Sequence, residues 1–117
     1  MRMWLIDPKI LCQKHLCGEH VEMHMFLGTL KKKIKVSGYI NNNLFEPKVL
    51  KSRHDELANE MILRGYKHKT PLDITIEQIQ YLPNNEKEAK INKVESFKEL
   101  IKRCDICNSR FLKTQKL

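Results

Sequence analysis

Positions 15 to 22 read His-Leu-Cys-Gly-Glu-His-Val-Glu, a run rich in titratable groups. On a helix, at about 100° per residue, His15 and Glu22 nearly eclipse one another and Glu19 lies about 40° from His15. One face then presents an imidazole and two carboxylates over two turns, the groups used for general acid–base work. The same spacing also suits a solvated helix face of mixed charge. Gly18 sits in the middle of this face, where it costs up to about 1 kcal/mol relative to alanine. Such a glycine admits either a close approach by something outside the helix or close packing of another helix.

The cysteines raise a second possibility. Cys104-Asp105-Ile106-Cys107 is a C-x-x-C pair, half of a zinc site. Cys12, His15 and Cys17 are the available further ligands. Cys12 and His15 fall one helical turn apart, whereas Cys17 points elsewhere. The competing reading makes Cys12 and Cys17 small buried residues and puts the C-x-x-C pair in a surface turn. We adopt the latter here, with no metal ligand and no cofactor assigned. No βαβ pattern surrounds the pair, which argues against a thioredoxin-like role. The chain has no G-x-x-x-x-G-K-S/T loop, no dinucleotide-type glycine pattern and no H-E-x-x-H. His20, Glu22 and His24 do not make a metal cluster, because positions 20 and 22 face different sides of a helix.

The elements that must position these groups are helical. Asp7-Pro8 is a start signal, since Asp caps and proline fits the first turn. A first helix is expected from about Pro8 to Lys33, with Leu16, Met23, Leu27, Leu30 and Ile34 as its buried stripe. Ser37 to Asn43 reads as a loop. A second helix is expected from about Glu46-Pro47 to Gly65, with Leu50, Leu57 and Met61 inward and Arg53, Glu56, Glu60 and Arg64 as surface charge pairs. Tyr66 to Asn85 reads as an irregular connector with one helical turn near Thr75–Gln78. A third helix is expected from about Glu86 to Arg103, with Ile91, Val94, Phe97, Leu100 and Ile101 on its apolar face. Trp4 is expected to anchor the N-terminal segment in the core. No sustained strand alternation appears. The expected fold is all-α: a compact three-helix single domain over 1–117, with the N-terminal segment packed among the helices and a frayed tail over 110–117.

Lys and Arg number 22 against 14 Asp and Glu in 117 residues, a formal charge of +8. So basic a small domain attracts polyanions, nucleic acid first. Lys31, Lys32, Lys33 and Lys35 lie at the expected end of the first helix. They suit either the helix dipole or a phosphate backbone. No apolar run is long enough for a membrane span, and charges interrupt residues 1 to 30 against any signal peptide. The expected setting is intracellular, without a membrane, with reduced cysteines.

Taken together, the residues resemble a family. His15-Leu16-x-Gly18-Glu19-His20-x-Glu22 looks like the helix motif of the pyrimidine-dimer DNA glycosylases, the endonuclease V-type enzymes of phages, viruses and bacteria. Arg53-His54-Asp55-Glu56-Leu57-x-x-Glu60-Met61-x-x-Arg64-Gly65-Tyr66 resembles that family's second block, and Met1-Arg2 its opening. The likeness covers roughly residues 1 to 85. It implies a compact helical bundle and a metal-independent glycosylase with abasic-site lyase activity, acting as a monomer on double-stranded DNA with a damaged base or abasic site.

The resemblance also implies site residues. The N-terminal α-amine is the nucleophile at the sugar C1′, and Glu22 matches the catalytic glutamate. Arg2 matches a phosphate contact, and His15 a histidine near the site. An α-amine suits the chemistry because its reference pKa of about 7.7–8.0 lies far below that of lysine. Arg2 is large enough to keep methionine in place, so the amine is that of Met1. Arg53, Lys31, Lys32, Lys33 and Lys35 are the further DNA-binding candidates. Val21 and Met25 stand where the family carries arginines, and Phe111 has no aromatic-rich tail around it. Those departures favour the rival reading, a non-catalytic basic nucleic-acid-binding protein of the same fold. A third reading is a zinc-stapled interaction module built on the C-x-x-C pair.

Overall fold

The computed structural model describes residues 1–68 and 70–115. Among them every regular element is helical. The expected first helix is divided. Asp7 caps a 3₁₀ turn at Pro8–Ile10 by accepting the Lys9 N–H at 3.0 Å. Leu11 and Cys12 are extended, and helix α1 then runs over Gln13–Lys31. Leu16, Met23, Leu27 and Leu30 are buried on it, as the spacing predicts. Ile34 is not part of that stripe. The helix stops at Lys31, Lys33 turns the chain with a φ of +53°, and Ile34 is left 53% exposed.

The expected loop after it contains a short helix, α2 (Ser37–Asn41), whose end Asn42 caps by donating its side-chain amide to the Gly38 carbonyl. A 3₁₀ turn at Pro47–Val49 leads into α3 (Leu50–Leu63), closed by Gly65 at φ +86°. Here Leu50, Leu57 and Met61 are buried as expected. The connector holds two single turns, α4 (Glu77–Gln80) and α5 (Asn84–Lys87). The third long helix starts later than expected. α6 spans Lys93–Arg103, because the Asn92 side chain caps it by accepting the Glu95 N–H. That start leaves Val94 62% exposed, while Ile91 and Leu100 are buried.

The three-helix expectation missed a whole element. Residues expected in a turn and a frayed tail instead form α7 (Asp105–Thr114), capped by the Cys104 sulfur, which accepts the Cys107 N–H. Cys107 is fully buried, Phe111 packs edge-on against Phe97, and the Arg110 guanidinium donates to the Lys9 carbonyl at 2.9 Å. These contacts fix the helix against the Pro8–Ile10 turn and α6. The rest of the expected tail, residues 116 and 117, lies outside the described residues.

α1 packs on α3, and the N-terminal segment is threaded among the helices. Met3 and Trp4 are buried in the core, beside a pair of stacked rings, Phe26 and Phe45. Polar contacts fix the segment's backbone. The Met3 N–H donates to the Leu44 carbonyl at 2.8 Å, and Ser96 on α6 donates its hydroxyl to the Trp4 carbonyl at 2.6 Å. Arg53 on α3 donates to the Ile6 carbonyl at 2.8 Å. No described helix is long and apolar enough to cross a membrane.

Candidate active site

The anchored segment delivers the start of the chain to the middle of α1. The Met1 α-nitrogen lies 4.0 Å from Glu22 Oε1, and the Arg2 N–H donates to Glu22 Oε2 at 3.3 Å. The two carboxylate oxygens thus straddle the first peptide unit. Met1 is largely enclosed, and the Glu22 side chain keeps 30% of its surface. The amine therefore sits at the rim of the fold, one short movement from the carboxylate.

Around this pair is a cleft of about 290 Å³ lined by Arg2, Trp4, Lys14, His15, Gly18, Glu19, Glu22 and Arg103. The expected stripe of His15, Glu19 and Glu22 does line a single surface. Arg2 lies flat over the Trp4 ring, 3.5 Å from its centroid, and Arg103 approaches the same ring at 5.5 Å. Such stacking holds a guanidinium while leaving donors for an anion. The Arg2 Nε–H is buried without an acceptor, and its neighbouring nitrogen donates to the Ser96 hydroxyl at 3.4 Å. Burial, then the Arg103 charge, lowers the Arg2 pKa.

Gly18 is not forced by packing. A Cβ built there meets nothing within 4 Å, so the missing side chain keeps the cleft floor open. This removes the helix-packing explanation.

The other expected site residues are distributed differently. His15 lines the cleft, but its Nδ1 is turned toward sulfur, 3.1 Å from Cys12 Sγ and 3.6 Å from Cys107 Sγ. Burial lowers its pKa, and the charges of Lys14, Arg103 and Arg2 lower it further, which disfavours an imidazolium as phosphate contact. Lys31, Lys32, Lys33 and Lys35 are all exposed beyond the C-terminal end of α1 or in its last turn. Lys31 is about 14 Å along the axis from Glu22. Arg53, expected on the DNA-facing surface, is instead 2% exposed. Its Nε and second terminal nitrogen donate to the two Glu19 oxygens at 2.6 and 2.9 Å, and its remaining nitrogen to Ile6 and Glu56. A guanidinium so enclosed orders the N-terminal segment and the cleft floor from behind.

Two cleft cations, Lys14 and Arg103, escaped the sequence reading. Lys14 had a readable signal, since Lys14, Gly18 and Glu22 recur every four residues on one helix face. Arg103 had none, because its place depends on how α6 crosses the N-terminal segment. A cluster of His20, His24, His54 and His68 was also missed. The His20 and His68 Nε2 atoms are 2.9 Å apart, and the His20 ring centroid is 4.7 Å from that of His54. Burial, then the neighbouring imidazoles His54, His68 and His24, pushes the His20 pKa down to about 4.

The Met1 α-nitrogen and Glu22 thus share a cleft whose edge carries Arg2, Lys14 and Arg103. The family model of the pyrimidine dimer DNA glycosylases matches residues 1–74, and the chain belongs to that family. Its class is thus DNA repair, with pyrimidine-dimer DNA as the family's substrate. No curated protein and no solved structure matches the chain.

Proposed function

We propose that this protein is a DNA glycosylase with abasic-site lyase activity, acting on pyrimidine-dimer-type damage through a Schiff base on the Met1 α-amine. The observation that carries the reading is the 4.0 Å approach of that amine to Glu22 at the edge of an open, cation-lined cleft. The neutral amine attacks C1′ of the damaged nucleotide. The N–C1′ bond forms as the glycosidic bond breaks, and the base leaves with the bonding pair and takes up a proton. The sugar ring opens to an iminium between C1′ and the Met1 nitrogen. Loss of a C2′ proton then expels the 3′ phosphate and cuts the strand, and water releases the enzyme.

Glu22 is suited to three tasks. It accepts a proton from the secondary ammonium that forms once the neutral amine has attacked, stabilises the cationic sugar, and relays the proton that opens the ring. Arg2, with Lys14 and Arg103 near it, would hold the flanking phosphates. C1′ is guarded in stacked duplex DNA, so the nucleotide must be exposed by bending or flipping, and the space over Gly18 suits its approach.

The test is borohydride trapping on duplex DNA carrying an abasic site, followed by mass spectrometry of the N-terminal peptide. A stable adduct on the Met1 amine is expected. Folded protein that binds the same DNA without forming an adduct would refute the mechanism.

A second reading is favoured by one observation. Val21 and Met25, beside Glu22, are 54% and 49% exposed, so an apolar edge stands next to the candidate carboxylate. A binding protein without catalysis would tolerate that edge. Glu22→Gln separates the readings: it should abolish cutting and spare affinity in the enzyme, whereas the binding protein has no cutting to lose.

A further inference from the structure

The C-terminal third of the chain adds something that the DNA chemistry does not use. Cys12 is the N-cap of α1 and Cys104 the N-cap of α7, and in each case the fourth residue of the turn, His15 or Cys107, faces the same point. The ligand atoms of Cys12, His15, Cys104 and Cys107 all lie within 4.8 Å of one another. We propose that these four residues bind one zinc ion, a Cys₃His site that fastens α7 to the start of α1.

Two edges of the cluster match a tetrahedron and a third is short. Zinc–sulfur bonds of about 2.3 Å and zinc–nitrogen bonds of about 2.0–2.1 Å give edges of about 3.8 Å between sulfurs and about 3.6 Å between sulfur and nitrogen. Cys12 Sγ and Cys104 Sγ are 3.8 Å apart, and Cys107 Sγ is 3.6 Å from His15 Nδ1. Cys12 Sγ is 3.1 Å from His15 Nδ1, an edge that must open by about half an ångström to admit the ion.

Burial works against a thiolate at Cys107, whereas backbone donors at all three sulfurs work in favour of one. Each sulfur accepts one backbone N–H: Cys12 from His15, Cys104 from Cys107, and Cys107 from Cys12. Such donors orient metal-bound sulfur and spread its charge. The positive ends of two helices, one of 19 residues and one of 10, also converge on the cluster. The three thiols release three protons to solvent as the ion binds. An open cleft of about 630 Å³, lined by Cys12, Gln13, Lys14, Cys17 and Ile106, reaches the cluster at Cys12. A disulfide is a poorer account of the cluster, since the 3.8 Å between Cys12 and Cys104 far exceeds the bond length of about 2.05 Å.

The ion would link two parts of the chain. Two donors lie within the segment that matches the glycosylase family and two lie beyond its end at residue 74. His15 also packs edge-on to Trp4, with ring centroids 5.8 Å apart, and Arg2 stacks on Trp4. Metal at His15 would therefore stiffen one wall of the DNA cleft without entering the reaction.

The experiment is elemental analysis of the full chain purified under reducing conditions, together with cobalt substitution. We expect one zinc per chain. Cobalt should give the visible bands and sulfur-to-metal charge transfer of a tetrahedral thiolate site. Cys104→Ser/Cys107→Ser should lose the metal, and Cys17→Ser should keep it. If the double variant does not fold, the cobalt spectrum of the unmodified chain decides. A chain that takes up neither ion would overturn the proposal. So would a Cys12–Cys104 disulfide in the reduced preparation, or zinc retained by the folded double variant, which would instead point to His20, His54 and His68.

Discussion

Removing the Arg53 guanidinium should be among the most damaging single changes in this protein, and the reason is the partner it leaves behind. Glu19 is 1% exposed and both of its oxygens are bonded to Arg53. Burial works against the charge on Arg53, but its bonds to Glu19 and Glu56 together outweigh burial and raise its pKa. Arg53→Met keeps most of the side-chain volume and strands a buried carboxylate. Breaking such a pair costs about 3–5 kcal/mol. For a domain of this size that corresponds to a melting temperature lower by about 10–20 °C. Glu56, the other carboxylate on Arg53, is exposed and returns to water at little cost. The Ile6 carbonyl loses one bond, worth about 1 kcal/mol. Glu19→Met/Arg53→Met should therefore be less damaging than Arg53→Met alone, at about 1–2 kcal/mol, because two apolar side chains replace both charges. Urea unfolding of the two single variants and the double variant gives the coupling directly. If Arg53→Met costs under about 1 kcal/mol, or if the single effects simply add, Glu19 is not held as a buried charge and the reasoning fails.

Gly18→Ala should stabilise α1 by up to about 1 kcal/mol, since the new Cβ meets nothing, while slowing strand cutting; unchanged cutting would mean that no substrate approaches there. His20 should make the fold acid-sensitive. Its pKa of about 4 lies below the unfolded value of about 6.5, so the unfolded chain binds more protons between those limits. Stability should be level in this respect above about pH 6.5 and fall by at most about 3 kcal/mol towards pH 4, and His20→Phe should flatten that limb in urea titrations. Replacing Lys31, Lys32 and Lys33 by alanine should lower the slope of log affinity against log salt by about 0.9 for each phosphate that these lysines neutralise; an unchanged slope would remove this run from the DNA interface.

How much of this was legible depends on how far apart the partners lie in the chain. The α1 stripe of Leu16, Met23, Leu27 and Leu30 and the α3 stripe of Leu50, Leu57 and Met61 follow from helical spacing, and both are buried. His15, Glu19 and Glu22 were likewise readable as one surface from spacing alone. Arg53 was misjudged because its local partner, Glu56, fits the surface-pair pattern, whereas its buried partner is 34 positions away. The same holds for Arg64, which pairs with Glu60 nearby and also donates to the Pro8 and Leu11 carbonyls. Helix α7 was missed because Cys107 is its one buried residue and its cap is a cysteine, which no helix-start pattern flags. The histidine cluster joins three separate segments, so no spacing rule reveals it.

A terminus proposed as a nucleophile faces a particular difficulty. The first residues of a chain are normally frayed, and a loose amine would meet Glu22 only in a small fraction of molecules. Here the segment is held at Met3 by Leu44, at Trp4 by Ser96 and at Ile6 by Arg53, anchors drawn from three different parts of the chain. None belongs to a regular ladder, so the immobilisation rests on groups far from the reaction. Met1 lies beyond the last of these anchors, with its side chain packed against the core and its α-nitrogen 4.0 Å from Glu22. In the proposed mechanism the fixed segment sets the position of the amine before any substrate arrives. On the proposed mechanism, Ser96 and Arg53 would govern rate by holding that segment, without touching DNA.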